Sequence, residues 1–474
     1  MRRIKRQQRS FADLEFERQG VRLEPELALV SWLLDRKSSE LLEAVRADLH
    51  RDLKNPQTGR DGMTAEQALR SLILKQIKNW SFRELRERIA DGMTLREFTR
   101  FGAARVPRHR AFHLASWRLT PQTLRNLNAM VVELALALGV DDARRVRMDT
   151  TVSETDIHFP TDSGLLWDSV RVLTRNAARI IEEIPDLPER LFNRTRSARR
   201  RMQEIHRMTR SERQHLQVPK YRELITITNQ VINNVRAVAR QGRASIGRLD
   251  CIAGLRVHTL CEQIKHYSGL AERVVAQARR RIIEEQSVPA TEKLYSIFES
   301  HTDLIKRGKT QKPVEFGHKL FLAESRRGII LEYGVLDGNP TDDVHVKPWL
   351  KRHIERFGAA PELAATDRGF YSAANVEALR GAGVGLECMP QRGGQKTAER
   401  TEHEKSRAFK RGQKFRAGIE GRISVLVRGR GMKRCRLKGK QRFEFFIGLV
   451  VLANNLLVIG RHLAKTRPNL ALAA

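Results

Sequence analysis

Three carboxylates carry residue types and surroundings that chemistry can use. Asp149 lies in RVRMDTTVSET, residues 145–155, where Val146, Met148, Thr150 and Val152 alternate with Arg147, Asp149 and Thr151, the period of two expected of a strand. Asp is a poor strand former, because its side chain competes for nearby backbone hydrogen bonds. An exposed face or a strand end is the plain reason for it there. Asp367 closes the apparent strand of PELAATDRGF, before a Gly-containing turn and a helix, and side chains just beyond a strand's carboxyl end face the crevice of an open α/β sheet. Glu420 sits in FRAGIEGRISVLVRGRG, where Ile419, Ile423 and Leu426 mark one helical face and Arg416 stands one turn away from Glu420. A surface ion pair with Arg416 accounts for it equally well. Two acids from strands and one from a helix can converge on a pair of hard divalent cations, which prefer oxygen ligands. Two ions about 3.5–4 Å apart can activate the attacking oxygen and stabilise the leaving oxygen of an in-line phosphoryl displacement.

Such a site is useful only on a phosphodiester, and the composition points the same way. Over 474 residues, 88 Lys and Arg against 55 Asp and Glu give a formal charge of +33. That excess repels itself unless it meets a polyanion, with nucleic acid ahead of an anionic membrane. The N-terminal MRRIKRQQRS is followed by no long apolar run, so it does not read as a signal peptide. The apolar run 443–459 is shorter than the roughly 20 residues of a membrane span and contains Glu444, Asn454 and Asn455, so a buried core helix is expected and no membrane partner. Cys251, Cys261, Cys388 and Cys435 show no paired short spacing, consistent with a reducing cytoplasm and with neither a zinc site nor a disulfide framework.

The elements that must position the carboxylates come in blocks. From residue 22 to about 139 the pattern is helical, with capping-box signals at Thr64 and Gln67, Ser81 and Glu84, and Thr94 and Glu97. Leu69, Leu72, Ile73, Ile77, Leu85 and Ile89 are core positions, and Trp80 and Trp117 are expected to join them. Arg70, Lys75, Lys78, Arg83, Arg86, Arg88, Arg96 and Arg100 make an outward basic face, suited to a helix-turn-helix-like DNA contact or to a plain solvated surface. Asp156, His158 and Asp162 fall in a loop before a helix, with Asp162 a turn or cap residue and His158 packed or hydrogen-bonded rather than metal-bound. Residues 165–285 read as helix, with basic runs at 194–213 and 279–281 that suit phosphate contact or solvent. Two strands follow, within 312–325 and 328–338. The turn after them carries Asp342 and Asp343, which can lie near a metal. Another strand in VGLECMPQR and a final helix, 443–464, complete the chain.

Three runs together, RMDTTVSETDIHFPTD, ATDRGFYSAANVEAL and FRAGIEGRISVLVRGRGMKRCRLKGKQRFEFFIGLVVLANNLL, resemble the catalytic blocks of DDE-type transposases of bacterial insertion sequences. DGMTAEQALRSLILKQIKNWSFRELRERIADGMTLREFTRFG is similar to the helical domain that precedes the core in one branch of them. The resemblance implies an α/β fold with a ribonuclease-H-like catalytic core, a mixed sheet flanked by helices, in two parts: residues 141–160 and 311–465. An all-helical DNA-binding domain at 1–140 and a long helical insertion at 161–310 complete it. It implies Asp149, Asp367 and Glu420 as catalytic metal ligands, two Mg²⁺ ions with Mn²⁺ as substitute, element ends and target DNA as partners, and a homo-oligomer in the active complex. Arg83, Arg86, Arg416, Arg428, Arg430, Lys433 and Arg434 become candidate DNA contacts. Many relatives have a Tyr seven residues before the last Glu and a Lys seven after, where this chain has Gln413 and Val427. A nuclease or resolvase on the same core, or a catalytically inactive DNA-binding derivative acting as repressor, are the alternatives.

Overall fold

Thr64 and Ser81 start helices as a capping box requires. In the computed structural model, which describes residues 11–18, 20–51, 53, 62–306 and 313–467, the Gln67 N–H donates to Thr64 Oγ1 (3.1 Å) and the Thr64 N–H donates to Gln67 Oε1 (3.0 Å). Ser81 and Glu84 repeat the exchange. These boxes open the helices Ala65–Lys78 and Phe82–Asp91. The third expected box, Thr94 with Glu97, does not form. Gly92 both ends one helix, its N–H donating to Arg88 O, and begins the next, its carbonyl accepting from Arg96, so Thr94 is already inside the helix Met93–Phe98. With Phe11–Arg18, Pro25–Arg36, Ser38–His50, His109–Arg118 and Pro121–Ala137 these helices make up the N-terminal region. The basic N-terminal run 1–10 lies outside the described residues.

The strands are β1 (Arg145–Thr155), β2 (Asp303–Lys306), β3 (Val314–Ser325), β4 (Ile330–Val335), β5 (Leu363–Ala365), β6 (Leu386–Cys388) and β7 (Arg434–Cys435). The chain folds as two compact units, one containing the described residues up to Glu154 and from His318 onward, the other residues 155–317. In the first, β4, β3, β1, β5 and β6 lie side by side in that order and β7 pairs with β1. β3 and β4 are antiparallel, whereas β5 runs parallel to both β1 and β6, so the sheet is mixed. β2 and β7, of four and two residues, are too short for any periodicity to announce them. Alternation in β1 does not become alternating exposure: from Met148 to Thr155 every residue is buried, because this central strand is covered on both faces. Its polar side chains stay inside by hydrogen bonding, as when Ser153 Oγ donates to Met432 O at 2.6 Å.

The final helix, Lys440–Thr466, is long and apolar enough to cross a membrane, yet 89% of its most apolar window is buried. It is the core helix of the first unit. Leu449, Leu452 and Leu456 share one apolar core with Leu27 and Leu72 of the N-terminal helices and with Val146 and Met148 of β1. The N-terminal helices are thus packed into the same unit as the sheet. Two of their basic residues are not on the outward face expected of them. Arg70 is 1% exposed, paired with Glu66 (2.8 Å) and Asp35 (2.5 Å) and donating to Ser31 Oγ. Lys75 faces a cavity considered below. Arg96 donates to Gly102 O and Ala104 O, and Arg100 ties Asp35 to Glu97. Arg83, Arg86 and Arg88 are exposed. Trp117, expected in the core, is half exposed, with the Arg442 guanidinium over its ring.

The second unit is built on the helices Asp162–Glu183, Thr195–Arg207, Arg210–Ser245 and Cys251–Ala278, closed around Leu173, Leu224, Val235, Val257 and Ile264. β2 pairs antiparallel with residues 314–317 of β3. Asp162 is the first residue of its helix, after the Thr161 cap, and is held by Gln277 (2.7 Å) and Arg281 (2.5 Å).

One contact fixes the helix Arg407–Ser424 on the sheet. Glu324 of β3 is fully buried and receives Arg147 of β1 (2.7 Å) and Arg422 of the helix (2.9 Å), while Arg147 also donates to Phe415 O (2.8 Å). Gly418 permits this approach, since a Cβ there would clash with the Arg147 guanidinium. Glu324→Ala leaves two cations without their shared carboxylate and is expected to cost about 3–5 kcal/mol, the loss typical of breaking a buried pair. The urea midpoint reads it; a shift corresponding to under about 1 kcal/mol, the worth of a surface pair, would show that the bridge does not hold the helix.

Candidate active site

Asp149 and Asp367 become neighbours through the parallel pairing of β1 with β5. The register sets Arg147 against Ala365, so two residues further on, Asp149 lies opposite Asp367. Asp367 stands just past the end of β5 and caps the short turn Arg368–Phe370, its Oδ1 accepting from the Gly369 N–H at 2.8 Å. Glu420 comes from the Arg407–Ser424 helix, which the Glu324 bridge holds over the same strands. Arg416, one turn before Glu420, gathers all three acids. One terminal nitrogen lies 3.0 Å from Asp149 Oδ2 and 3.6 Å from Asp367 Oδ2, and the other 2.9 Å from Glu420 Oε1. The ion pair of Arg416 with Glu420 is therefore part of a three-carboxylate cluster. Exposure is graded across it: the side chain of Asp149 is 12% exposed, that of Asp367 38% and that of Glu420 67%.

Two further residues adjoin the cluster. Asp342, a turn residue in the sequence, accepts from Thr150 Oγ1 (2.9 Å), and Lys319 of β3 pairs with it at 2.7 Å. A Cβ on Gly369 would lie 2.7 Å from Asp342 Oδ2 and 3.0 Å from Asp367 Oδ1, so glycine is what lets these two acids flank the turn. In the sequence Lys319 is marked only as a lone cation inside the apolar run of β3. Gln413 donates to Thr366 O (3.2 Å) and Cys388 O (2.7 Å), tying the ends of β5 and β6 beside Asp367. Val427 is half-buried in the wide helical turn Val425–Gly429.

The remaining candidates are dispersed. Arg428 and Lys433 are exposed. Arg430 donates to Ile77 O and Gly429 O, capping the end of the Ala65–Lys78 helix, and burial pushes its guanidinium below the usual range. Arg434 pairs with Glu154 at 2.9 Å. Arg83 and Arg86 lie exposed on the Phe82–Asp91 helix. His158 is exposed and 3.5 Å from Asp168. The basic run 194–213 keeps Arg196, Arg199 and Arg200 exposed, while Arg201 pairs with Glu204 and Glu223.

Among the described residues, no three His, Cys, Asp or Glu side chains are gathered closely enough to hold a metal ion. The donor chemistry at Arg416 is nonetheless of the kind hard divalent cations prefer: carboxylate oxygens from three elements converge on one positive charge, and that charge is a guanidinium. An arriving cation competes with Arg416 for the same oxygens. Arg416→Gln is accordingly expected to tighten Mn²⁺ binding, read by calorimetry on the protein without DNA. Unchanged or weaker binding would mean that the three carboxylates are not the ion's ligands.

A transposase domain family, DUF772, matches residues 18–116, the region of the N-terminal helices. A transposase DDE domain family matches residues 381–459, which include Arg416 and Glu420; Asp149 and Asp367 lie outside both matches. No curated protein and no solved structure matches the chain. With both transposase domains in order on one polypeptide, the two matches support a DDE-type transposase of the insertion-sequence type.

Proposed function

We propose that this transposase binds the ends of its element, cuts a DNA strand there and joins the freed 3′ hydroxyl to target DNA, with Asp149, Asp367 and Glu420 as its metal-holding carboxylates. The observation that carries the proposal is the convergence of those three acids on the Arg416 guanidinium. The mixed sheet supports a ribonuclease-H-like core: β1 is central, with the antiparallel pair β3 and β4 on one side and the parallel β5 and β6 on the other. When bound, Mg²⁺, or Mn²⁺ in its place, supplies activation of an attacking oxygen and charge stabilisation of a leaving one.

The chain's own residues do the positioning. Asp149, mostly buried and fixed by its strand, is the rigid ligand, and its Oδ1 already accepts from the Thr150 N–H at 2.8 Å. Asp367 is oriented by the Gly369 N–H and by the strand ends that Gln413 ties. Glu420, the most exposed of the three, is the ligand with most freedom to adjust. Arg416 neutralises the carboxylates in the free protein and is placed to take a phosphate of the bound strand. Exposed Arg83 and Arg86 on the N-terminal helices, with Arg428 and Lys433, suit backbone contacts that orient DNA without reading its sequence. Pairing of two element ends calls for a homo-oligomer in the active complex.

Cleavage and joining of a labelled element-end duplex in Mg²⁺ tests the reading. Wild type is expected to yield joined product, and Glu420→Gln and Asp149→Asn none, with end binding retained. Cleavage without joining would favour a nuclease, and loss of end binding in each carboxylate variant would contradict the assignment. Lys433→Ala is expected to weaken binding evenly across DNA sequences and to lower the slope of log K against log salt by about 1; an unchanged slope would remove Lys433 from the phosphate contacts.

A further inference from the structure

A cavity of about 730 Å³ lies within the first unit, away from the carboxylates, between the Ala65–Lys78 helix, the start of Phe82–Asp91 and the segment from Val427 to Leu449. Its volume suits a small-molecule group. Its lining combines rings with cations: Trp80, Phe82, Phe445 and Phe446 on one hand, Lys75, Lys433, Arg434 and Arg436 on the other. Lys75 is the unusual member. Its side chain is half-buried in the cavity wall, its ammonium stands 5.0 Å from the Phe82 ring centroid, and among the described residues it has no hydrogen-bond or ion-pair partner. Burial pushes it down to about 8. The carboxylate that shares the cavity, Glu84, is engaged at its own helix start, accepting from the Ser81 N–H at 2.7 Å. Gln76, also in the lining, has a buried side-chain oxygen with no hydrogen-bond partner.

A half-buried ammonium without a counter-charge carries part of the cost of desolvation, and an anion entering the cavity relieves it. Aromatic walls favour a flat, apolar body attached to the anion, since ring stacking on such side chains holds any base. The unpaired Gln76 oxygen favours a ligand with an N–H donor, which an aliphatic carboxylate lacks. We propose that this cavity binds a nucleoside phosphate, with the Lys75 ammonium on the phosphate, the aromatic walls against the base and Gln76 accepting from the base. The same chemistry is offered by a free nucleotide and by an unpaired nucleotide at a DNA end. The site does not depend on the carboxylate chemistry, because none of the three acids lines it.

Titration calorimetry in EDTA, which silences the carboxylate site, tests this on the full chain with dAMP, inorganic phosphate, a blunt duplex and the same duplex carrying one unpaired terminal nucleotide. Wild type is expected to bind dAMP more tightly than phosphate, or the overhang more tightly than the blunt duplex. The first result identifies a free nucleotide as the source and the second a DNA end. Lys75→Met is expected to weaken the preferred ligand about 10- to 100-fold, the range for a lost charged hydrogen bond, and to leave the melting temperature of the ligand-free protein unchanged or higher, since it removes an unpaired charge. Phe82→Leu, which keeps the ammonium, is expected to weaken dAMP or the overhang while leaving phosphate unaffected. Equal binding of phosphate and dAMP with equal binding of both duplexes, absence of binding in every arm, or wild-type affinity in Lys75→Met would each overturn the proposal.

Discussion

The buried carboxylate of Glu324 is the constraint on which the geometry of the three-carboxylate cluster hangs. A charge removed from water is tolerated only when paired and hydrogen-bonded, and Glu324 is answered by guanidinium groups from two different elements, Arg147 and Arg422. Arg147 lies two residues before Asp149 on β1, hence on the same face of the strand. Arg422 lies two residues after Glu420 on its helix. The bridge therefore sets the register between the strand that carries the first acid and the helix that carries the third. Small residues let it close: Gly412 faces Cys388 and Gly418 faces Arg147 where a Cβ would clash. With helix and sheet fixed at that separation, Arg416 reaches both strand acids, and the cluster follows from the docking.

The charge of the chain has to be read through its structure. A formal +33 suggests a basic surface, yet several arginines are taken up by the protein's own carbonyls and carboxylates. Arg442 donates to Ser116 O, Arg118 to Leu49 O and Arg356 to Leu331 O, and Arg400 is buried between Glu387 and Glu404. Guanidinium suits this use because its donors spread over several carbonyls while its stem packs against apolar neighbours. In the N-terminal region Arg83, Arg86 and Arg88 stay exposed on the Phe82–Asp91 helix, as do Arg105, Arg108 and Arg110 at and before the start of His109–Arg118. Arg70, at helical spacing from the core positions, carries the buried network of the preceding helix instead.

Much of this was legible in the residues, for local reasons. The bounds of β1, the two capping boxes and the buried terminal helix follow from short-range rules, so they could be read directly. Asp149, Asp367 and Glu420 could be nominated because each sits oddly, or usefully, in its own element. What could not be read was anything depending on partners distant in the chain. Arg70 and Lys75 look like surface cations until Asp35, some 35 residues earlier, and the segment from Val427 onward are folded against them. Thr94 looks like a cap until Gly92 is seen to serve two helices at once. Lys319 and Asp342 enter the site only because β3 and the turn before residues 346–357 lie beside Thr150.

Arg416 couples the docking of the Arg407–Ser424 helix to the charge of the carboxylate cluster. Three carboxylates on a shared surface repel one another, and a protein that must keep them close before any ion or substrate arrives needs a positive charge among them. A guanidinium meets that need reversibly: it is charged at every relevant pH, and its side chain is long enough to change partner without any backbone movement. A lysine's point charge could not span three acids with two nitrogens as Arg416 does. On the proposed function, the residue that gathers the carboxylates leaves at least one of them when a cation takes its place, and a phosphate arriving with DNA is then the natural anion for it. The charge balance of the three-carboxylate cluster is thus set by a single side chain, held one turn from Glu420 by the helix that Glu324 anchors.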